Sequence, residues 1–171
     1  MSRWNRYAPA CAWVLALAMP SCGSKDAVAV SGGIGNVEMS IAQGSLVTTI
    51  QGKFDVYLEL GSRASSPTDV TFAEFSLLKA TDHTPVLAKG TLSVVAPSSA
   101  PVHLAPGDKT TVAFQIGDVR NGATVPAEVS QGDYQSVCGA GQVVITATIH
   151  DSASGAASTQ LSSPAFTPSG C

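Results

Sequence analysis

From Asn36 onward the chain alternates apolar and polar side chains with a period of two. Val37, Met39 and Ile41 alternate with Glu38 and Ser40, which predicts a first strand. The alternation is clearest over residues 53–60. There Phe54, Val56, Leu58 and Leu60 share one parity, and Lys53, Asp55, Tyr57 and Glu59 share the other. A segment of this kind is a strand with one face on a core and one in water. Residues 70–78 are strongly apolar but change phase: Val70 and Phe72 share one parity, Phe75 and Leu77 the other. One residue slipped at Ala73-Glu74, a β-bulge, explains the change. Phe72, Phe75 and Leu78 also fit a helical i, i+3 series. The wealth of Val, Thr and Phe and the lack of a cap favour the strand.

Turn signals divide the rest of the chain. Residues 82–85 predict a turn, and 86–95 a strand with Gly90 at a bulge or close approach. Residues 96–101 form a Pro/Ser loop. In Ala105-Pro106-Gly107-Asp108, Pro in second place and Gly in third fit a type II turn, and the strand after it points Val112, Phe114 and Ile116 inward. Residues 117–141, with Asn121-Gly122, Pro126 and several further glycines, read as the longest irregular segment. Residues 142–150 are apolar on both faces in part (Val143, Val144, Ile145, Ile149), as a central strand is. A turn at 151–155, a last strand at 157–161 and a tail at 164–171 complete the pattern.

Short strands separated by turn signals, with no long amphipathic helix, predict an all-β chain: one β-sandwich of seven or eight strands over residues 36–171. Its expected core holds Phe54, Val56, Leu58, Phe72, Val112, Phe114, Val143 and Ile145. The run L-x-P-G-x-x-x-x-V-x-F from Leu104 to Phe114 resembles turn-and-strand segments of bacterial immunoglobulin-like and fibronectin-III-like surface domains. The Asp151-x-x-x-Gly155 turn between two strands is similar to theirs as well. The resemblance covers residues 50–163 and implies an immunoglobulin-like sandwich. Tyr134 would stand at its tyrosine corner, although the insertion 135–141 departs from that pattern. Such a likeness bears on fold and does not carry function.

The first residues have another pattern. Arg3 and Arg6 lie in a short start free of acidic residues, and an uncharged apolar run extends from Ala10 to Met19. A positive start, an apolar middle and small residues at the end make a secretory signal, here residues 1–21. The run is too short to span a membrane, which takes about 20 residues. Met19-Pro20-Ser21-Cys22 resembles a bacterial lipobox and implies lipidation at Cys22, hence a membrane anchor. It departs from that family at Met19, where Leu is preferred, and at Pro20. Ala16-Leu17-Ala18 offers the alternative, an ordinary cleavage site releasing a soluble secreted protein that starts at Met19. Residues 22–35 read as a flexible tether. Gly33 and Gly35 start a G-x-G spacing, but Glu38 stands where a dinucleotide loop needs glycine.

Cysteine parity favours lipidation. Of Cys11, Cys22, Cys138 and Cys171, the first leaves with the signal. With lipid on Cys22, an even pair remains for an oxidising compartment. A disulfide between Cys138 and Cys171 is therefore expected, with two separate thiols as the alternative. It would clamp the tail across the start of the 142–150 strand.

Composition narrows the partners. Residues 1–21 take two of nine basic residues and no acid, leaving seven basic against twelve acidic groups, scattered rather than clustered. Nucleic acid is a poor partner for such a domain. Both tryptophans, Trp4 and Trp13, lie in the signal, and the scarcity of Trp and Tyr beyond it weighs against a stacking-type carbohydrate module.

Candidate chemistry is sparse. His83, His103 and His150 fall in a turn, beside a turn and at a strand end. A blue-copper set of Cys, two His and Met is missing, and zinc would need further ligands. There is no G-x-S-x-G elbow and no H-E-x-x-H, and Asp55 and Glu59 share a solvated strand face. No catalytic residue, metal ligand or cofactor is expected. The sequence points to a non-catalytic, envelope-anchored lipoprotein module with a protein or cell-wall partner. The alternative is a periplasmic hydrolase or metal-binding protein with a loop-built site.

Overall fold

The computed structural model describes residues 30–153 and 157–171. The expected signal, Cys22 and the first part of the tether lie outside them. The described chain is mostly β, in antiparallel sheets, with eleven strands and one helix.

β1 (Val30–Gln43) and β2 (Thr48–Leu60) form a long hairpin. The far edge of β2 pairs with β6 (Lys109–Ile116) over residues 52–59 and with β9 (Ala127–Val129) over 48–50. β4 (Val94–Val95) closes this sheet beside β6. The second sheet runs β11 (Ser158–Ser162), β10 (Val143–Asp151), β3 (Thr68–Lys79), β5 (Val102–Leu104). β7 (Asp118–Arg120) and β8 (Ala123–Val125) make a small hairpin of their own, closed by Asn121 at φ 53 and Gly122 at φ 77. Two positive φ values on Asn-Gly are what a tight two-residue hairpin requires.

The sheets meet over a cluster of phenylalanines. Phe54 on β2 stacks on Phe114 of β6 in its own sheet, centroids 5.4 Å apart, and reaches Phe75 on β3 of the other sheet at 5.4 Å. Phe114 also meets Phe72 edge-on at 4.8 Å and Phe75 at 4.9 Å. Alternation on β2 and β6 thus delivers the inward rings, and tilted and edge-on contacts are the arrangements that aromatic quadrupoles favour. Seven of the eight expected core residues are buried. Phe72 is only partly so and packs against the core from its margin.

The phase change in β3 is a bulge. Thr148 pairs with Glu74 and Ile149 with Phe72, so Ala73 has no opposite number. The extra residue carries Phe75 and Leu77 back to the inner face, where both are buried. β10 is interior to its sheet, and residues 143–147 are buried on both faces. The 105–108 turn forms as expected: the N–H of Asp108 donates to the Ala105 carbonyl at 2.9 Å, and Gly107 has φ 90. That φ belongs to the third position of a type II turn and suits glycine.

Several expectations require correction. The strand count exceeds seven or eight because residues 117–129, read as irregular, form three short strands. Residues 131–140 are helix α1 (Gln131–Ala140), capped by Ser130, whose hydroxyl accepts from the N–H of Asp133 while the Asp133 carboxylate accepts from the Ser130 N–H. Tyr134 consequently lies in a helix and not at a tyrosine corner. Residues 86–95 are not a strand apart from β4. Val86, Leu87 and Leu92 are buried, but the segment bonds to β3 only in places, through Val86 N–H to Leu77 O at 3.0 Å and Leu92 N–H to Phe75 O at 2.8 Å. The 22–35 tether ends early, since Val30–Gly35 already belong to β1 and pair with residues 55–60.

The tail stitches the two sheets together. Val143 and Phe166 exchange two backbone hydrogen bonds of 2.9 Å on the β10 side. Ser169 then donates to the Met39 carbonyl at 3.0 Å and accepts from the Ile41 N–H at 2.9 Å on the β1 side. Gly170, at φ 87, lies so close to β1 that a Cβ would collide with the Ile41 carbonyl oxygen.

Candidate functional site

The exposed face of β1, β2 and β6 carries the most organised set of outward side chains. The alternation that buries Phe54, Val56 and Leu58 turns Lys53, Asp55, Tyr57 and Glu59 the other way. Between Gly35 and Glu38 the β1–β2 register shifts, and there Asn36 takes a left-handed φ of 49. Asn tolerates that conformation better than most residues. From it the Asn36 amide Nδ2 donates to the Tyr57 hydroxyl at 2.8 Å and to Asp55 Oδ2 at 2.7 Å. The ring lies over Gly35, where a Cβ would stand 2.9 Å from ring carbon Cε2. Tyr57 is 40% exposed.

Ion pairs bracket this group on both sides. Lys53 meets Glu38 at 3.2 Å, and Lys109 meets Glu59 at 3.0 Å. Three clefts run along the face. One of about 420 Å³ lies beside Gly33, Tyr57, Glu59, Lys109 and Thr111. A second of about 460 Å³ is lined by Asn36, Val37, Glu38, Lys53 and Asp55. The third, about 480 Å³, shares Glu38 and Lys53 with it and continues to Gln51 and Gln115. A separate, more apolar cleft of about 480 Å³ opens at the β3 bulge over Phe72, Phe75, Phe114 and Leu92.

The two expected disulfide residues are joined. Cys138 on α1 and Cys171 bond with Cα atoms 5.2 Å apart, within the range a disulfide spans. The bond pins the tail to α1, and α1 is itself tied to two neighbours. Gln131 Oε1 accepts from Gln43 Nε2 at 3.0 Å beside the β1–β2 turn, and Asp133 Oδ1 accepts from the Ala88 N–H. Burial pushes the Asp133 carboxyl up. Hydrogen bonds from the Ser130 hydroxyl and from the Ala88 and Ser130 N–H groups, with Lys89 nearby, outweigh this and hold it below the usual carboxylate range.

The three histidines are placed apart from any assembled chemistry. His83 sits at φ 56 in an exposed turn. His103 Nδ1 lies 2.8 Å from Asp69 Oδ1, both well exposed, and His150 is near the end of β10. The Asp69–His103 pair escapes sequence reading because β3–β5 pairing creates it across 34 residues. Ser152 is close by, but its hydroxyl accepts from the Asp69 N–H at 3.0 Å and shares a 3.1 Å bond with Thr68. Both of these partners lie at the start of β3. Among the described residues, no three His, Cys, Asp or Glu side chains gather as a metal site would, and no helix is long and apolar enough to cross a membrane. The lipidation candidate Cys22 lies outside the described residues. Comparison with protein-family models, with curated proteins and with solved structures finds no match to this chain.

Proposed function

We propose that this chain is an exported lipoprotein module, anchored to a bacterial membrane through Cys22, whose two sheets form an immunoglobulin-like sandwich with a non-catalytic binding or structural role in the envelope. The observation that carries the proposal is the bond between Cys138 and Cys171. A structural disulfide belongs to an oxidising compartment, and an exported chain needs the signal that residues 1–21 resemble. With Cys138 and Cys171 paired, Cys22 is the remaining cysteine of the sequence beyond residues 1–21, and lipidation employs it.

The module reading draws on the exposed β1–β2–β6 face. Its polar groups lie on the regular strands of a rigid sheet, with an oriented tyrosine among them. Binding sites built on such elements hold their geometry better than sites on loops. Membrane fractionation of the native chain and of Cys22→Ser in a bacterial host tests the proposal. The native protein is expected with the membranes, released by detergent and not by salt, and the variant is expected in unprocessed or soluble form. Identical partitioning of the two, with a mature N-terminus at Met19, contradicts the anchor.

A further inference from the structure

We propose that the exposed face of β1, β2 and β6 binds a saccharide chain of β-linked pyranoses, with Tyr57 as its stacking platform. The inference deepens the reading of the domain as a non-catalytic binding module by naming its ligand class. A pyranose presents an apolar face of axial C–H groups and a rim of equatorial hydroxyls. It is recognised by one aromatic ring beneath the sugar and by planar amide and carboxylate groups around it. Tyr57 supplies the ring, and Asn36, Asp55, Glu59, Gln51 and Gln115 supply the planar groups along the same face.

The platform is held in place before any ligand arrives. Asn36 fixes the phenol oxygen at 2.8 Å, and the absence of a side chain at Gly35 leaves room for the ring edge beside β1. Holding a contact group in its bound orientation reduces the entropy lost on binding. The floor beside it is open, since nothing lies within 4 Å of where a Cβ would stand on Gly33. The three clefts extend from Glu59 to Gln51. That stretch of strand covers about 26 Å at ~3.3 Å per residue, room for several sugars in line. Each cleft falls within the ~300–1,000 Å³ typical of small-ligand sites.

Charge separates this ligand from others. Lys53 with Glu38 and Lys109 with Glu59 neutralise each other, so the face has no positive stripe for phosphates. The face also lacks the apolar centre that marks a protein interface, because Tyr57 is its one exposed large apolar side chain among the described residues. A neutral, hydroxyl-rich chain suits what remains. The scarcity of aromatic residues argues against a face of several rings, and a single oriented ring is what the fold provides.

The test uses the full mature chain in detergent, sedimented with purified peptidoglycan sacculi and with microcrystalline cellulose. A soluble β-1,4-linked oligosaccharide serves as competitor. Co-sedimentation with at least one polysaccharide, reversed by the competitor, is expected. Tyr57→Ala should weaken it by about 30-fold, the scale of an interfacial tyrosine hot spot, and Tyr57→Phe by less. Gly33→Ile, a branched aliphatic side chain placed in open space opposite Tyr57 and remote from the core, should block binding with the melting temperature unchanged, which keeps the test valid if Tyr57→Ala folds poorly. Retention on sacculi alone identifies a cell-wall glycan, and retention on cellulose identifies a plain β-glucan backbone. Failure to sediment with either, or retention of Tyr57→Ala and Gly33→Ile equal to that of the native chain, overturns the proposal. A chain that fractionates with membranes yet ignores both polysaccharides loses this ligand class and keeps its anchor.

Discussion

Phe114→Ala removes the ring on which the two sheets converge. Phe114 is 1% exposed and has three ring neighbours: Phe54 from its own sheet, and Phe72 and Phe75 from the other. Truncating a buried phenylalanine costs about 3–5 kcal/mol, combining lost transfer energy with the cavity left behind. Three aromatic contacts are lost together, each worth ~0.5–1.5 kcal/mol beyond area, so the upper half of that range applies. About 4–5 kcal/mol is a large share of the ~5–15 kcal/mol by which domains are stable. At ~2–4 °C per kcal/mol the melting temperature should fall by roughly 8–20 °C. Urea unfolding monitored by circular dichroism at constant m-value reads the change directly. Phe72→Ala is the internal control. Its ring is only partly buried, at the margin of the same cluster, so it should cost clearly less. A Phe114→Ala loss below about 0.5 kcal/mol, the range of surface substitutions, would refute the two-sheet core, as would a larger loss for Phe72.

The clamp and the cap can be tested in the same way. Reducing the Cys138–Cys171 bond, which closes a separation of 33 residues, should cost about 4 kcal/mol in the chain-entropy model while leaving the strands formed. Thiol titration of the unfolded, unreduced protein should find no free thiol at either position, and two would contradict the bond. Asp133→Asn should destabilise the domain at neutral pH by about 1–3 kcal/mol, because the carboxylate caps α1 and holds the Ala88 N–H. The folded carboxyl titrates below its unfolded value of about 3.9, so its contribution is present above that pH and is lost as pH falls through the folded value. The deficit of the variant should accordingly shrink below about pH 4, and a pH-independent deficit would contradict the cap. Gly170→Ala should loosen the tail, seen as faster amide exchange at Ile41 and Ser169, since its Cβ meets the Ile41 carbonyl.

Much of the fold is legible in the sequence because local alternation coincides with burial. Phe54, Val56, Leu58 and Leu60 announce the inner face of β2, and the parity switch after Phe72 locates the bulge at Ala73. The features that escape such reading do so for physical reasons. Val30–Gly35 has too many glycines to alternate, yet the backbone pairs with β2 regardless of side chain. α1 contains Gly132 and Gly139 and carries only a weak apolar stripe, so its one readable signal is the Ser130-x-x-Asp133 capping box. Val86, Leu87 and Leu92 are buried as strand residues would be, but an apolar run does not distinguish a strand from a segment folded over a sheet edge. On the candidate site, alternation places Tyr57 on the polar face of its strand, where the structure has it. Its partner Asn36 is hidden from the sequence, because the contact joins residues 21 apart and depends on a register shift between β1 and β2.

The most direct test of an anchored, disulfide-clamped module is the intact mass of the mature protein purified from bacterial membranes. The expected mass is that of a chain that begins at Cys22, carries attached acyl groups, and lacks two hydrogens for the Cys138–Cys171 bond. A soluble chain that begins at Met19 with the unmodified mass would contradict it.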